Sequence, residues 1–255
     1  MSYLDEAYGL GGRTALVTGS RSGIGRAAAL ALAGAGADVI LWGRSEDGLA
    51  PVADEVRRLG VDARVVAADL ADLEAVAAAA TRVASMADVD ILVNNAGMIA
   101  RGPARELSVE SWREVHTVNL DAMFVLCQAV GGPMTDRGSG AVINVASLLS
   151  FQGGVRVAPY AASKHAVAGL TKALANEWAP RGVNVNAVAP GYVATEVTRP
   201  LREDGARYAE ISARIPAGRW AEPDDIGAAI AFLASPAAAY IHGHVLVVDG
   251  GWMSR

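Results

Sequence analysis

The chain has 255 residues, of which 52 % are hydrophobic and 19 % charged, and its 22 basic and 27 acidic side chains give a net charge of −5. Burial of so apolar a sequence offsets the conformational entropy lost on folding, which excludes a disordered chain. The single cysteine, Cys127, excludes an internal disulfide, and the acidic balance argues against nucleic acid as a partner.

The same composition favours a soluble α/β protein over a membrane protein. No uncharged apolar run reaches the roughly 18 residues that a membrane span needs, and the first residues carry neither a basic segment nor an apolar leader. We therefore expect no membrane partner and a cytoplasmic location. Glycine accounts for 28 residues and aromatic side chains for only 5 %, which favours tight turns and helices packed closely on a parallel sheet.

Short β-branched runs alternate along the chain with longer Ala- and Leu-rich stretches, the pattern of βαβ units. Seven strands are predicted at 14–18, 38–42, 63–67, 90–93, 141–145, 183–188 and 244–248. Helices are predicted to end near 35 and near 59, then to cover 72–86, 108–130, 158–178, parts of 195–215, and 224–234. Since no linker or repeat interrupts this order, we predict one domain over residues 1–255, an α/β fold whose seven-stranded parallel sheet is doubly wound, with helices on both faces.

A glycine-rich turn, Thr-Gly-Ser-Arg-Ser-Gly-Ile-Gly, occupies residues 18–25 between the first predicted strand and helix. Glycines let a backbone approach a pyrophosphate closely, and a following helix N-terminus presents unpaired N–H groups to it. An ordinary glycine turn is the alternative, but the strand before and the helix after favour dinucleotide binding. The residues predicted to bind the cofactor in this turn are Gly19, Ser20, Arg21, Ser22, Gly23, Ile24 and Gly25.

The spacing of this turn resembles that of the short-chain dehydrogenase/reductase family. Further motifs of that family follow in order: Asn-Asn-Ala-Gly at 94–97, then Asn119, Ser147, Tyr160-Ala-Ala-Ser-Lys164, and Pro190-Gly191. The resemblance implies an NAD(P)-dependent oxidoreductase on a Rossmann-type sheet, assembled as a homotetramer. It also implies further cofactor contacts from Asp69, Leu70, Asn95, Ala96, Gly97, Tyr160, Lys164, Pro190, Gly191, Val193 and Thr195.

The choice of dinucleotide depends on charge at the end of the second predicted strand. A carboxylate there binds the ribose 2′-hydroxyl of NAD, whereas a basic residue accommodates the 2′-phosphate of NADP. Aligned by the family pattern, the acidic position is Gly43, and Arg44 follows it. Arg44, with Arg21 and Ser45, could pair with a phosphate. We predict NADP(H) as the preferred cofactor, with NAD(H) possible. A solvated Arg44 and a merely helix-starting Asp69 are the alternatives.

Tyr160 and Lys164 lie four residues apart and therefore on one face of a predicted helix. A neighbouring ammonium is expected to lower the pKa of the tyrosine, which is about 10 in isolation. Tyr160 would then serve as general acid and base in the interconversion of a secondary alcohol and a ketone. The resemblance implies that Ser147 holds the substrate oxygen, that Lys164 also binds the nicotinamide ribose, and that Asn119 holds a water that links Lys164 to solvent.

Several segments resemble those of the sugar-acid dehydrogenases of this family, which act on gluconate or keto-deoxygluconate. They are residues 1–5, 149–156, 175–178, 215–220 and 248–252, and a substrate loop is expected at about 190–220. A sugar acid needs a cation for its carboxylate and polar partners for its hydroxyls. Arg101 and Arg156 could supply the charge, and Gln152 and Tyr192 the hydrogen bonds. Solvated loop arginines are the alternative for the first pair.

Two other functions stay open at this point. A reductase of 3-oxoacyl groups on acyl carrier protein would share every catalytic motif, although no basic patch for an acidic carrier stands out. A non-catalytic dinucleotide-binding protein is disfavoured because Asn119, Ser147, Tyr160 and Lys164 are all present. No metal site is predicted, since His242 and His244 lack a third ligand.

Overall fold

The computed structural model describes residues 2–254 and arranges seven strands in one sheet. The strands are β1 (Thr14–Thr18), β2 (Asp38–Gly43), β3 (Ala63–Ala67), β4 (Ile91–Asn94), β5 (Gly140–Val145), β6 (Val183–Pro190) and β7 (Val245–Val248). Their order is β3-β2-β1-β4-β5-β6-β7, and every neighbouring pair is parallel. The predicted fold class is confirmed, and each predicted strand lies within two residues of its place.

Helices cover both faces of this sheet. They are α1 (Tyr3–Tyr8), α2 (Gly23–Gly34), α3 (Glu46–Arg58), α4 (Leu73–Met86), α5 (Val109–His116), α6 (Ala122–Leu126), α7 (Gly132–Arg137), α8 (Ala158–Trp178), α9 (Arg199–Glu203), α10 (Gly205–Arg214) and α11 (Pro223–Ala234). Side chains from α2, α3 and α11 share one buried cluster with Val17 and Leu41, while α4, α6 and α8 pack with Leu16 and Ile40 on the other face. Burial on both faces explains the nearly continuous apolar strands.

The helix predicted at 108–130 begins as expected but ends later. Ser108 caps α5, because its Oγ accepts the N–H of Ser111 at 3.1 Å. Two π-helical turns, Thr117–Asp121 and Cys127–Gly131, then connect α5, α6 and α7, so the helical segment runs on to Arg137. The predicted end near residue 130 is wrong, because Pro133 stands in the first turn of α7, where its missing N–H is tolerated.

The structure also settles the helices of the segment 195–215 and shows one helix, α1, that the sequence did not predict. The expected short helices of 195–215 are present as a 3₁₀ turn, Glu196–Thr198, followed by α9 and α10. The six-residue α1 was not predicted, because none of its residues is buried and no apolar period marks it. Met1, part of the resembling segment 1–5, lies outside the described residues. None of the helices between residues 2 and 254 is long and apolar enough to cross a bilayer.

Candidate active site

The glycine-rich turn lies where β1 and β4, adjacent in the sheet, send their chains to opposite faces, the usual place for a ligand in such folds. Gly19 has φ +66°, and a Cβ there would lie 3.0 Å from Cα of Ala96. A Cβ on Gly25 would lie 2.3 Å from the carbonyl oxygen of Gly19. Only glycine fits either position, so the turn closes tightly against the loop after β4.

Thr18 joins this turn to the Asn-Ala-Gly segment, although it was not among the predicted site residues. Its Oγ1 accepts the N–H groups of Asn95 and Ala96, each at 3.0 Å. The Nδ2 of Asn95 donates back to the carbonyl of Thr18 at 2.9 Å. Thr18 opens the family motif, so that motif carried a signal for it. The predicted positions Asn95 and Ala96 are thereby held beside the first glycine.

The first turn of α2 fits a pyrophosphate. Ser22 occupies the N-cap position but makes no capping hydrogen bond through its side chain, which leaves N–H groups of that turn without a side-chain acceptor. Gly23 has φ +57°, and a Cβ there would lie 3.3 Å from Cγ2 of Thr195. The structure therefore brings the predicted residues Ser22, Gly23 and Thr195 together around an open helix N-terminus.

The predicted adenosine contacts lie at the ends of β2 and β3. Arg44 and Ser45 are exposed directly after β2, and Arg21 is exposed in the glycine-rich turn after β1. Asp69 is exposed after β3, and one of its carboxylate oxygens accepts the N–H of Ala71 at 3.0 Å. Leu70 is 8 % exposed and belongs to the core, so only a small part of its surface is open to a ligand.

Three predicted catalytic residues meet at the carboxyl edge of the sheet. Ser147 follows β5, and Tyr160 and Lys164 lie one turn apart near the start of α8. The hydroxyl of Ser147 lies near enough to that of Tyr160 to act on the pKa of the phenol. The Nζ of Lys164 lies 5.6 Å from the centroid of the Tyr160 ring and donates to the carbonyl of Val145 at 2.6 Å. This arrangement offers a phenol and a second hydroxyl to one oxygen atom of a substrate.

The expectation that Lys164 lowers the pKa of Tyr160 is wrong for this arrangement. Burial raises the pKa of Tyr160, and the groups that oppose the rise are Ser147, through its hydrogen bond, and Arg101, through its charge. Burial also lowers the pKa of Lys164 from 10.5 to about 8. Burial disfavours the charged form of Lys164, and its Nζ donates to a backbone carbonyl. Lys164 therefore stabilises a Tyr160 phenolate less than the four-residue spacing alone suggests.

Asn119 lies fully buried in the first π-helical turn, and both polar atoms of its side chain form hydrogen bonds. Its Oδ1 accepts the N–H of Met98 at 2.8 Å, and its Nδ2 donates to the carbonyl of Met98 and to Oγ of Ser163, each at 3.0 Å. A Cβ on Gly97 would lie 3.2 Å from this Oδ1 and 3.8 Å from Nζ of Lys164. Asn119 therefore fixes the loop after β4 against α8; the water predicted to link Lys164 to solvent stays a prediction.

Two serines that the sequence did not single out brace the catalytic residues. The Oγ of Ser163 donates to the carbonyl of Tyr160 at 2.8 Å. The buried Oγ of Ser150, in the 3₁₀ turn Leu148–Ser150, donates to the carbonyl of Lys164 at 2.6 Å. Ser163 stands inside the Tyr-Ala-Ala-Ser-Lys motif and could have been found there. Ser150 belongs to no motif, and only the fold reveals it.

The predicted substrate residues surround the catalytic group from two loops. The N–H of Gly102 donates to the carbonyl of Arg156 at 2.9 Å, which joins the loops that carry Arg101 and Arg156. Both arginines are exposed, and Arg156 has φ +62°, a left-handed conformation that costs a residue with a Cβ about 1–2 kcal/mol. Gln152 is half-buried in the second loop. Arg101 lies near enough to Tyr160 for its charge to act on that phenol.

Tyr192 opens the segment predicted as a substrate loop and packs into an aromatic cluster. Its ring centroid lies 5.2 Å from that of Trp220 and 4.8 Å from that of Trp252. Burial raises the pKa of Tyr192, and the charges of Arg207, Arg214 and Arg101 oppose the rise. The Tyr192 hydroxyl therefore lies within reach of three arginine charges and of the carboxylate of Glu210.

The rest of that segment is anchored in two ways. Gly191 is required, because a Cβ there would lie 2.7 Å from Cα of Asp249, and Pro190 ends β6 beside it. Val193 is 3 % exposed, so its side chain belongs to the core rather than to a ligand. An open cleft of about 610 Å³ lies between this segment and the start of α11, and no predicted catalytic residue lines it. In residues 2–254 no three His, Cys, Asp or Glu side chains are placed to hold a metal ion.

Comparison with known proteins identifies relatives over the whole chain. The family model described as enoyl-(acyl carrier protein) reductase matches residues 19–253. A 2-dehydro-3-deoxy-D-gluconate 5-dehydrogenase of Bacillus subtilis (strain 168) is 51 % identical over 255 residues, which is 100 % of both chains.

Two solved structures match equally fully. One, described as an NAD(P)-dependent gluconate 5-dehydrogenase from Beutenbergia cavernae with NADP at low occupancy, is 59 % identical with a TM-score of 0.95 and covers 98 % of this chain and 100 % of its own. The other, a gluconate 5-dehydrogenase from Burkholderia cenocepacia J2315 with NADP and tartrate, is 40 % identical with a TM-score of 0.95, covering 99 % and 100 %. The chain belongs to the short-chain dehydrogenase/reductase family of NAD(P)-dependent oxidoreductases, as its ordered motifs predicted.

Proposed function

We propose that this chain interconverts a secondary alcohol and a ketone on a sugar acid of the gluconate or keto-deoxygluconate type, with NADP(H) as the preferred cofactor. The observation that carries the proposal is the grouping of Ser147, Tyr160 and Lys164 at the same sheet edge as the uncapped N-terminus of α2. The gluconate and deoxygluconate names of the relatives support the substrate class.

The residues of the chain account for orientation and proton transfer. When bound, the nicotinamide supplies or accepts the hydride. Ser147 donates a hydrogen bond to the substrate oxygen, and Tyr160 gives its proton to that oxygen in the reductive direction or takes it in the oxidative direction. Ser147 and the charge of Arg101 favour the phenolate form of Tyr160 against the effect of burial, Lys164 would bind the nicotinamide ribose, and Asn119 keeps the loop after β4 in place.

The substrate assignment rests on the charge around the phenol. Arg101 and Arg156 stand on two loops joined by a backbone hydrogen bond, and neither arginine has an ion-pair partner within residues 2–254. A hexonate carboxylate would neutralise such exposed guanidinium groups through charge-assisted hydrogen bonds. Gln152 and Tyr192 would contact its hydroxyls, from within the loop about 150–157 and the substrate loop of about 190–220.

A substrate panel tests this function. Hexonates, keto-deoxyhexonates and an acetoacetyl thioester are assayed in both directions with NADP(H) and with NAD(H). We expect the largest kcat/KM for a sugar acid with NADP(H). Turnover of the thioester but of no sugar acid would instead indicate a 3-oxoacyl reductase. Absence of turnover with every carbonyl despite NADPH binding would indicate a non-catalytic dinucleotide-binding protein.

The cofactor preference has its own test in Arg44. Arg44→Ala should lower the ratio of kcat/KM for NADPH over that for NADH, because it removes a guanidinium from the expected position of the 2′-phosphate. Arg58→Ala, at the far end of α3, is the matched control. An unchanged ratio in Arg44→Ala contradicts the preference.

We also propose that the chain forms one domain and assembles as a homotetramer. Apolar side chains of the outer helices support assembly, since Trp112 on α5 and Phe124 on α6 are each 43 % exposed. Light scattering after size-exclusion chromatography measures the assembly directly. A cytoplasmic location stays a prediction.

A further inference from the structure

The region that faces the ribose 2′ position is assembled from the glycine-rich turn and the end of β2. The N–H groups of Gly19 and Ser20 both donate to the carbonyl of Trp42, at 2.8 and 3.3 Å. The next residue of the turn, Arg21, is therefore held beside the segment 43–45 that follows β2. Two arginines from separate parts of the sequence, Arg21 and Arg44, thus reach one surface.

The packing around Gly43 disfavours a carboxylate at this surface. A Cβ on Gly43 would lie 3.1 Å from Cδ2 of Leu49, and Leu49 is fully buried. A side chain at position 43 would therefore require the core side chain of Leu49 to shift by a few tenths of an ångström. Leu49 belongs to α3, so the packing of that helix on the sheet disfavours the carboxylate that NAD-binding folds use at this position.

A second glycine, Gly48, makes room for Arg21. A Cβ on Gly48 would lie 3.0 Å from Cδ of Arg21 and 3.0 Å from Oγ of Ser45. Gly48 stands inside α3, where glycine is less favourable than alanine because it loses more conformational freedom on folding. The hydrocarbon part of Arg21 thus lies against a helix surface that carries no side chain.

The polar groups of this surface are free to bind an anion. Within the part of the chain that the structure describes, Arg21 and Arg44 make no side-chain hydrogen bond or ion pair, although the acidic residues Glu46 and Asp47 begin α3 nearby. Ser45 occupies the N-cap of α3, but its hydroxyl makes no capping bond. Two guanidinium groups and one hydroxyl are therefore available to a phosphate.

We propose that Gly48 is a specificity-determining residue for the 2′-phosphate of NADP(H). Its missing side chain lets Arg21 lie along α3, so that Arg21, Arg44 and Ser45 contact the same phosphate. This inference rests on the cofactor preference proposed above. Gly48 itself binds nothing; it acts by positioning Arg21, and a side chain at position 48 displaces Arg21 or competes for it.

The experiment measures binding of adenosine 2′,5′-bisphosphate and of AMP by calorimetry, together with the NADPH to NADH ratio of kcat/KM. The variants are Gly48→Ala, Gly48→Gln and Gly48→Glu. We expect weaker binding of the bisphosphate in that order, by about 3-fold, about 10-fold and about 100-fold, because the glutamate both fills the space and pairs with Arg21. AMP, which lacks the 2′-phosphate, should bind equally well to all of them.

Two controls separate positioning from a general disturbance of α3. Gly34→Ala in α2 makes the same change where a Cβ meets nothing within 4 Å, and it should leave both affinities unchanged. In an Arg21→Ala background, Gly48→Gln should cause a much smaller loss, because only its contact with Ser45 remains.

The outcomes distinguish this inference from the function on which it rests. Equal losses for AMP and the bisphosphate, or an undiminished effect of Gly48→Gln without Arg21, would overturn the role of Gly48. If Gly48 variants bind the bisphosphate normally while Arg44→Ala does not, only the role of Gly48 fails. If Arg44→Ala and Arg21→Ala also bind it normally, the proposed NADP(H) preference fails, and the role of Gly48 fails with it.

Discussion

The residues assigned to proton transfer and those assigned to substrate recognition lie at the same sheet edge but are held differently. Asn119 and Lys164 are buried, and their polar atoms donate to or accept from neighbours at 2.6–3.0 Å. Arg101 and Arg156 are exposed, and the guanidinium of Arg101 makes one 3.4 Å hydrogen bond, to the carbonyl of Val197. Substitutions in the loops can therefore change the substrate without moving the proton donor, whereas the buried group tolerates little.

The largest effect is expected from Tyr160→Phe. Loss of the phenolic proton should lower kcat by about 10²–10⁴-fold, the usual contribution of a general acid. The ring is retained, so the Kd for NADPH, measured by fluorescence, should change by less than about 2-fold. Tyr208→Phe, on an exposed ring that stacks on Trp220, is the matched control and should keep its activity. Near-normal turnover by Tyr160→Phe would contradict the assignment of Tyr160 as general acid and base.

Lys164→Met tests the burial of the ammonium through the pH dependence of stability. Between about pH 8 and pH 10.5 the unfolded chain binds a proton at Lys164 that the folded chain has released. The contribution of Lys164 to the free energy of unfolding therefore increases as pH rises through this window. The gain amounts to about 3 kcal/mol across this window.

Urea unfolding of both proteins at pH 7, 9 and 10.5 measures this gain. Relative to Lys164→Met, the wild type should become more stable as pH rises; the contribution of Tyr160 is present in both proteins and cancels. Lys172→Met, an exposed position on the same helix, serves as the control. A constant difference between the wild type and Lys164→Met would contradict the lowered pKa of Lys164.

Arg101→Ala and Arg156→Ala test the exposed residues that are assigned to substrate recognition. Each should raise the KM for a hexonate by about 10–100-fold, with little change in kcat, because each removes a charge-assisted hydrogen bond. Arg101→Ala should also raise the pKa of Tyr160 and move the pH profile of alcohol oxidation upward, since Arg101 opposes that pKa shift. Arg105→Ala, in the same loop as Arg101, is the control. Unchanged KM values in both variants would exclude this carboxylate site.

The smallest effect concerns the backbone of the second loop. Arg156→Gly should be more stable than Arg156→Ala by about 1 kcal/mol, because glycine adopts φ +62° without the Cβ penalty. At Arg105, which has no such conformation, the corresponding Gly variant should be the less stable of the two. Thermal unfolding of the four variants measures both differences. The same ranking at both positions would show that the conformation of Arg156 stores no strain.

The sequence predicted the fold well where local pattern and burial agree. β1 and β2 carry apolar runs that are buried in the sheet, and their positions follow from those runs alone. The end of the helical segment after Ser108 did not follow, because the π turn at Gly131 depends on a distant contact. A Cβ on Gly131 would lie 2.6 Å from the ring of Trp178 in α8.

The candidate site shows the same division. Motif order was sufficient to place Ser147, Tyr160 and Lys164 together, since each follows a strand or lies on one helix face. The pKa of Lys164 could not be predicted, because it is set by burial among residues far apart in sequence. The role of Ser150 was hidden for the same reason.

The hydrogen bond from Ser150 to the carbonyl of Lys164 couples the opening motions of two segments. The turn that begins at Ser147 and the first turns of α8 cannot open separately without losing this buried contact. Their backbone amides should therefore exchange with solvent in one cooperative event, while the exposed α9 and α10 exchange faster. The segments that carry Ser147, Tyr160 and Lys164 would then keep their geometry while α9 and α10 open.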